Sequence, residues 1–548
     1  MRVIDRREDK KHIFFYFTLH KVILPVVYSL LSLKLTHNFM FCLAVCAESL
    51  VAFFVQNIIA SWNKIVAWIA GVLLMFIVYA QSLVLLFTGG YVQLIMLTNL
   101  ESVEALQGRG TQYIVMIVIT LLILFLPIDY IELRFVNHKV IVSAICLAVL
   151  LCMPFIFKKY SPYVNLFQLI QKAKLRRDAE DRIHNMMDEG AEELLAEFYS
   201  DSVGDGIDKP MDLASSPNVV LIFTEGLSMN VIEDPREIMP NVAYYMENGL
   251  SFENYYDHTA ATYRGIIGQL YSSHQYNNGD TNLLVSVEEI LKQKGYYTTF
   301  VNPEPTEEFF TEYLDSLGFD VVTSGGVEDY ILPDQLVYDL VLEHLSEGAA
   351  DGQPQFVACY TFGTHVGNNS PEDCRFGDGD NRLLNRFHYC DYSFGEFMRR
   401  LEEEGLSSNT LVVFTTDHAS YVDDDYILSF YPDYERADIF CDRIPLVFYY
   451  EGITPGVVDA GGRNSLDLAP TVLDYLDIDS PNYFLGGSLF LPVQNELVET
   501  VFCVPDSEWM VSTADGEVRD LTEEETEEFR TYLESYLSLT RRTENPIY

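Results

Sequence analysis

Asn218-Val219-Val220-Leu221-Ile222-Phe223-Thr224-Glu225-Gly226 is an apolar run that ends abruptly in a hydroxyl, a carboxylate and a glycine. Unbroken apolar, β-branched sequence without polar alternation describes a strand buried on both faces. The pattern recurs downstream. Tyr297–Val301 follows a helical segment at Val287–Lys294, and Gln355–Thr361 is a third run. Leu411–Thr415 is a fourth, behind a long helical pattern at Arg386–Glu404, and Pro445–Tyr450 is a fifth. Strands alternating with helices predict an α/β domain with a central, mostly parallel sheet. Ligands in such sheets collect at the carboxyl ends of the strands. The polar residues at those ends are therefore where chemistry is sought.

Those ends carry a consistent set. Thr224-Glu225-Gly226 closes the first strand, Gly363-Thr364-His365 follows the third, and Thr416-Asp417-His418 follows the fourth. Asp257-His258-Thr259-Ala260-Ala261-Thr262-Tyr263-Arg264-Gly265 leads into a helix. Carboxylates and imidazole together form a mixed N/O donor set suited to zinc or manganese. A threonine hydroxyl is a weak nucleophile until a base or cation lowers its pKa, and Glu225, Asp417 and His418 could hold such a cation beside Thr262. A helix opening at Thr262 would favour an anion, and Arg264 could add a bidentate contact. Taken singly, each residue has a plainer role: a helix cap, a turn, an N-cap threonine. Their occurrence in order at successive strand ends favours a site.

Upstream the composition changes. The 548 residues hold 80 acidic and 35 basic side chains, a net charge of −45. Apolar residues nevertheless concentrate before about residue 157. The net charge and the lack of a basic stripe exclude nucleic-acid binding. Runs at 13–33, 39–60, 64–88, 112–131 and 139–157 are each long enough for a membrane span, which takes roughly 20 apolar residues. Arg2, Arg6, Arg7, Lys10 and Lys11 favour a cytoplasmic N-terminus, but Lys158, Lys159, Lys172, Lys174, Arg176 and Arg177 after the last span weaken that count. Within the second span, Glu48 is either functional or a neutral carboxyl bonded to a neighbouring helix. The polar turn Thr98-Asn99-Leu100-Glu101-Ser102-Val103-Glu104-Ala105 either meets a lipid head group or is a solvated loop. Residues 161–200 read as a helix lying along or leaving the membrane surface, and 200–217 as a Gly/Asp/Pro-rich linker. The stretch 515–548 reads as a helix without a catalytic part. Of nine cysteines, Cys359, Cys374, Cys390, Cys441 and Cys503 lie outside the apolar segments, without C-x-x-C spacing, and would allow one or two disulfides.

The opening strand, the segment Phe252-Glu253-Asn254-Tyr255-Tyr256 ahead of Thr262, and Gly295–Thr299 with Leu317-Gly318-Phe319-Asp320 resemble the sulfatase-like superfamily. Its members include lipoteichoic acid synthases and phosphoethanolamine transferases. Tyr389 and Asp391, Thr416-Asp417-His418, Arg443-Ile444-Pro445-Leu446, Asp467–Leu473 and Phe484–Leu489 follow in the family's order, so the resemblance spans about residues 218–490. It implies an alkaline-phosphatase-like fold, metal ligation by Glu225, Thr262, Asp417 and His418, and His365 near the transferred group. It also implies about five membrane helices and an extracytoplasmic catalytic domain. The turn bearing Thr98, Asn99, Glu101 and Glu104 resembles the lipid-contacting loop of phosphoethanolamine transferases, with Glu101 or Glu104 as counterpart of its acidic residue.

There are departures as well. True sulfatases carry Cys or Ser where Thr262 stands, and Ala419-Ser420 replaces the Gly-Glu that follows the histidine in the transferases. The Trp and Arg that bind glycerol phosphate in lipoteichoic acid synthases are not evident in Pro303–Leu314.

The expected organisation is a transmembrane domain at 1–160, a juxtamembrane helix and linker at 161–217, a sulfatase-like domain at 218–500 and a C-terminal extension at 501–548. The expected activity moves a phospho-alcohol group, phosphoethanolamine or glycerol phosphate, from a phospholipid to an envelope glycan or lipid, by way of phospho-Thr262. A membrane-bound phosphate or sulfate ester hydrolase is the alternative, and a non-catalytic envelope binding protein the second.

Overall fold

The computed structural model describes residues 21–36, 38–60, 62–92, 96, 110–126, 155–187, 196–275, 284–368, 370–434, 436, 441–504 and 508–540. Two compact units divide the chain, Met1–Leu175 and Arg176–Tyr548.

In the first unit, residues 21–31 are helical. Helices α1 (Phe39–Ala60) and α2 (Lys64–Thr88) are long and apolar enough to cross a membrane, judged by length and composition. Asn63 caps α2 by accepting from the Ile65 and Val66 amides at 2.9 and 3.2 Å, and Gly89, at φ 70°, ends it. Helix α3 (Gly110–Phe125) is apolar but shorter. These elements fall on the second, third and fourth expected spans. Residues 13–20 of the first, most of 139–157 and the whole Thr98–Ala105 turn lie outside the described residues. A multi-pass bundle of five helices is therefore an expectation that the described helices meet only in part. Glu48 is fully buried; its carboxylate accepts from the Ser161 hydroxyl and from the Tyr163 amide at 3.3 Å. These bonds tie it to the N-terminus of helix α4 (Pro162–Met187).

The second unit is built on β1 (Asn218–Thr224), every residue of which is buried. There follow α5 (Pro240–Asn248), β2 (Leu250–Glu253), α6 (Thr262–Tyr271), α7 (Val287–Gln293), β3 (Tyr297–Val301), α8 (Glu308–Asp315) and β4 (Val321–Thr323). Next come α9 (Asp334–Asp351), β5 (Gln355–Thr361), α10 (Arg382–Glu403), β6 (Thr410–Thr416), β7 (Val447–Tyr449), β8 (Gly456–Asp459) and α11 (Leu468–Tyr475). The eight strands run in the order β4-β3-β5-β1-β6-β7-β2-β8. β1 pairs in parallel with β5 and β6, in a register that matches Thr224 to Thr361 and to Thr416. This brings three carboxyl ends side by side. β7 alone is antiparallel to both its neighbours.

Local signals explain the helix starts. Ser286 and Glu289 form a reciprocal capping box on α7. Asp391, on α10, accepts from the Asn241 and Val242 amides at the start of α5, at 3.1 and 2.8 Å. The expected linker is not loose. Val203 and Gly206 donate their amides to Asp479 and Asp474, and Val203 and Leu213 are buried in the core. Beyond residue 500, β9 (Val501–Val504), β10 (Glu508–Ser512) and β11 (Val518–Asp520) form a small antiparallel sheet, followed by α12 (Glu523–Thr540). The helix falls within 515–548 as expected, but it starts later, after β11. Of the five cysteines that would have allowed disulfides, Cys359, Cys374 and Cys390 are free thiols.

Candidate metal centre and nucleophile

The sheet register assembles the centre. Glu225 extends β1, and Asp417 and His418 extend β6 beside it. One ligand atom from each of the three lies within 4.8 Å of the others, and all three side chains are buried. Their hydrogen bonds point each donor inward. Asp417 Oδ1 accepts from the Gly226 amide at 2.8 Å and the His418 amide at 2.7 Å. Its Oδ2 has no partner among the described residues and lies 3.5 Å from His418 Nε2. His418 Nδ1 faces the Ala419 carbonyl at 2.7 Å. A carbonyl only accepts, so Nδ1 carries the proton and the Nε2 lone pair turns to the carboxylates. Glu225 Oε1 lies 3.6 Å from that Nε2. Gly226 adopts φ 49°, a turn that lets its amide reach Asp417.

Buried, unpartnered donor atoms are costly unless something binds them. A divalent cation fits this set: two carboxylates and one imidazole, with free lone pairs converging. The electrostatics agree. Burial raises the Glu225 carboxyl, but His418, His365 and the hydroxyls of Tyr360 and Thr262 outweigh it and hold it below the usual range. Burial pushes Asp417 up. Burial opposes charge on His418, yet Asp417 and Glu225 raise it.

Thr262 is the first residue of α6, and its Oγ donates to Glu225 Oε2 at 3.1 Å. The residue before it, Ala261, sits at φ 80°, ψ 136°, a conformation that side chains rarely adopt. Strain of this kind costs about 1–3 kcal/mol and persists only where surroundings impose it. Arg264 is buried, and its Nε and Nη2 donate to the Ala260 carbonyl at 3.3 and 3.0 Å. As placed, this guanidinium braces the loop that delivers Thr262. His365 is half-buried, stacks on Phe362 at 4.3 Å and faces the Val366 carbonyl through Nδ1 at 3.0 Å, leaving Nε2 as its other polar atom. Burial lowers its pKa. Thr364 donates its hydroxyl to the Glu225 carbonyl, tying this loop to the end of β1.

Three further residues hold the site, and sequence reading did not single out the part they play. Asp257 accepts from the Ala419 and Asp442 amides at 3.1 and 3.0 Å. Asp334, buried at the start of α9, accepts from the Gly363 amide at 2.9 Å and so fixes the loop of His365. Tyr360, on β5, donates to Glu225 Oε2 at 2.6 Å. Asp257 opens the stretch read from the sequence as leading into the nucleophile's helix, whereas Asp334 and Tyr360 carry no local signal that marks them. Ser420, standing where the transferases carry Glu, donates its hydroxyl to the Gly226 carbonyl at 2.7 Å.

The sulfatase family model matches residues 217–478, the span that contains every one of these residues. That match covers just under half of the chain. Among curated relatives, lipoteichoic acid synthase 2 of Bacillus subtilis is 24% identical over 324 residues, covering 52% of this chain and 48% of its own length. The lipoteichoic acid synthase-like YvgJ of the same organism is 23% identical over 318 residues, covering 49% and 48%. This chain therefore spans about half the length of the curated relatives it matches. Among solved structures, the lipoteichoic acid synthase LtaP from Listeria monocytogenes aligns with 18% identity and a TM-score of 0.48, covering 63% of this chain and 98% of that one. Within the matched span, the candidate ligands come from the ends of β1 and β6 and the candidate nucleophile from the start of α6.

Proposed function

We propose that this protein is a membrane-anchored phosphotransferase, with its sulfatase-family domain outside the cytoplasm. It moves a phospho-alcohol group, phosphoethanolamine or glycerol phosphate, from a phospholipid to a hydroxyl of an envelope glycan or lipid. The observation that carries this reading is Thr262 Oγ held 3.1 Å from Glu225, next to the Asp417–His418 pair and at a helix N-terminus.

In the first half-reaction Thr262 Oγ attacks the lipid phosphorus, the bond to the diacylglycerol oxygen breaks, and that oxygen takes up a proton. In the second, the acceptor hydroxyl attacks the phospho-threonine, and Thr262 recovers its proton as the Thr262–phosphorus bond breaks. A zinc or manganese ion held by Glu225, Asp417 and His418, with Thr262 as a further donor, would supply acidity to the hydroxyl and offset phosphoryl charge. The partial positive charge at the start of α6 favours the phosphate. Ala260 and Arg264 keep the nucleophile's loop in place. His365 offers Nε2 for proton transfer or phosphate contact. The apolar α1 and α2 support the membrane anchor. The Thr98–Glu104 turn is our candidate for head-group contact.

The test is lipid turnover by membranes containing the protein, with labelled phosphatidylethanolamine and phosphatidylglycerol side by side and Thr262→Ala as blank. Diacylglycerol released from one donor, and lost with Thr262→Ala, is the expected result. Turnover retained by Thr262→Ala would overturn the mechanism. The family match favours a second reading, a hydrolase of phosphate or sulfate esters. Release of free phospho-alcohol or sulfate without an acceptor would select it.

A further inference from the structure

Glu225 carries more hydrogen bonds than a metal ligand needs. Oε2 accepts from Thr262 Oγ at 3.1 Å and from Tyr360 Oη at 2.6 Å, while Oε1 lies 3.6 Å from His418 Nε2. The two oxygens therefore have different tasks. A carboxylate on a strand end can rotate about its last torsion and exchange its oxygens, since that torsion is broad. A buried phenol donating to one oxygen at short range removes the exchange.

Tyr360 is well placed for this. It lies on β5 opposite Phe223 of β1, two residues before Glu225. The ring is fully buried, edge-on to Phe310 and Phe362 at 6.3 and 6.1 Å. Burial against these rings holds the phenol in place, so its hydroxyl meets Oε2 with little rotational freedom left to lose on forming the bond. A tyrosine whose only task was to fill space would serve equally as phenylalanine. Here the hydroxyl is buried and must have a partner, and the partner is the candidate metal ligand.

We infer that Tyr360 is a positioning residue of the metal centre: its hydroxyl locks Glu225 so that Oε1 is the oxygen offered to the cation and Oε2 is reserved for Thr262. The inference rests on the reading of Glu225, Asp417 and His418 as a cation site. It adds a hydrogen bond to the ligand from outside the ligand set, a kind of contact whose removal weakens metal affinity by about 10–100-fold.

The test uses the full-length protein in detergent, stripped with a chelator and titrated with Mn2+ by calorimetry. Tyr360→Phe removes one hydroxyl and keeps the ring. Cys359→Ala, a packing change in the neighbouring residue of the same buried strand, is the control. Tyr360→Phe should weaken Mn2+ binding about tenfold, while the melting temperature of the stripped protein falls no more than for Cys359→Ala, whose Mn2+ affinity stays at the wild-type value. Should Tyr360→Phe not accumulate, Tyr360→Met carries the same comparison. Wild-type affinity in Tyr360→Phe, or equal weakening in both variants, overturns the inference and leaves the cation site standing. No Mn2+ binding by the wild type overturns both.

Discussion

Helix α6 carries Thr262 against the loop that carries Asp417, and Gly265 is where they touch. A Cβ on Gly265 would stand 2.1 Å from the Asp417 carbonyl oxygen, 2.8 Å from its carbon and 3.3 Å from its Cα. All three are backbone atoms, so no rotamer change relieves the contact. Restoring ordinary separation of about 3.4 Å requires the helix and the loop to part by about 1.3 Å. Thr262 begins the same turn, and its 3.1 Å bond to Glu225 would stretch to about 4 Å and be lost. Gly265→Ala should therefore cost about 1–3 kcal/mol of stability as overpacking. It should also cost about 100-fold in turnover, the usual penalty for a misplacement near 1 Å. Diacylglycerol release measured beside urea unfolding separates the two effects. If Gly265→Ala keeps turnover within about threefold of wild type while remaining folded, the helix does not set the nucleophile's position and the reasoning fails.

Two further expectations concern stability. Arg463 is buried, bonds Asp467 and Glu499 at 2.6 and 2.5 Å and donates to the Gly487, Ser488 and Leu491 carbonyls, so Arg463→Ala strands two buried carboxylates. Unfolding free energy should fall by about 3–5 kcal/mol, and a loss below about 1 kcal/mol would refute this. His274 is buried against His258 and Phe529, and burial lowers its pKa to about 3. The unfolded chain binds that proton near pH 6.5 and the folded one does not, so stability is unaffected above 6.5 and falls by up to about 1.4 kcal/mol per unit as pH drops towards 3. His274→Gln should flatten this slope in pH-dependent unfolding curves; an unchanged slope would refute the assignment.

The sequence exposed those parts of the fold that depend on local chemistry. Runs such as Val219–Phe223 admit no amphipathic helix, and the polar triplets after them mark where each buried strand must stop. Glu225, Asp417 and His418 could be nominated together because they end strands that turn out to be adjacent, and Thr262 because it opens a helix. What escaped depends on contacts between distant segments. Tyr360 lies within an apolar run, and nothing in Gln355–Thr361 says its hydroxyl meets Glu225. Arg264 read as a phosphate contact because it follows the candidate nucleophile, but the tight turn at Ala261 folds its guanidinium back onto Ala260. The reversed direction of β7 and the small sheet β9–β11 also depend on pairing partners far along the chain. In the first unit, hydropathy alone located α1 and α2, which are long and apolar enough to cross a membrane, because a span imposes a length and a composition.

The most direct test of the central claim looks for the covalent intermediate. The purified protein is incubated with phosphatidylethanolamine or phosphatidylglycerol without acceptor, quenched in acid, digested and analysed by mass spectrometry. The account predicts one adduct, with the mass of the transferred phospho-alcohol, on the peptide bearing Thr262. Diacylglycerol release with Thr262 unmodified throughout the time course would contradict it.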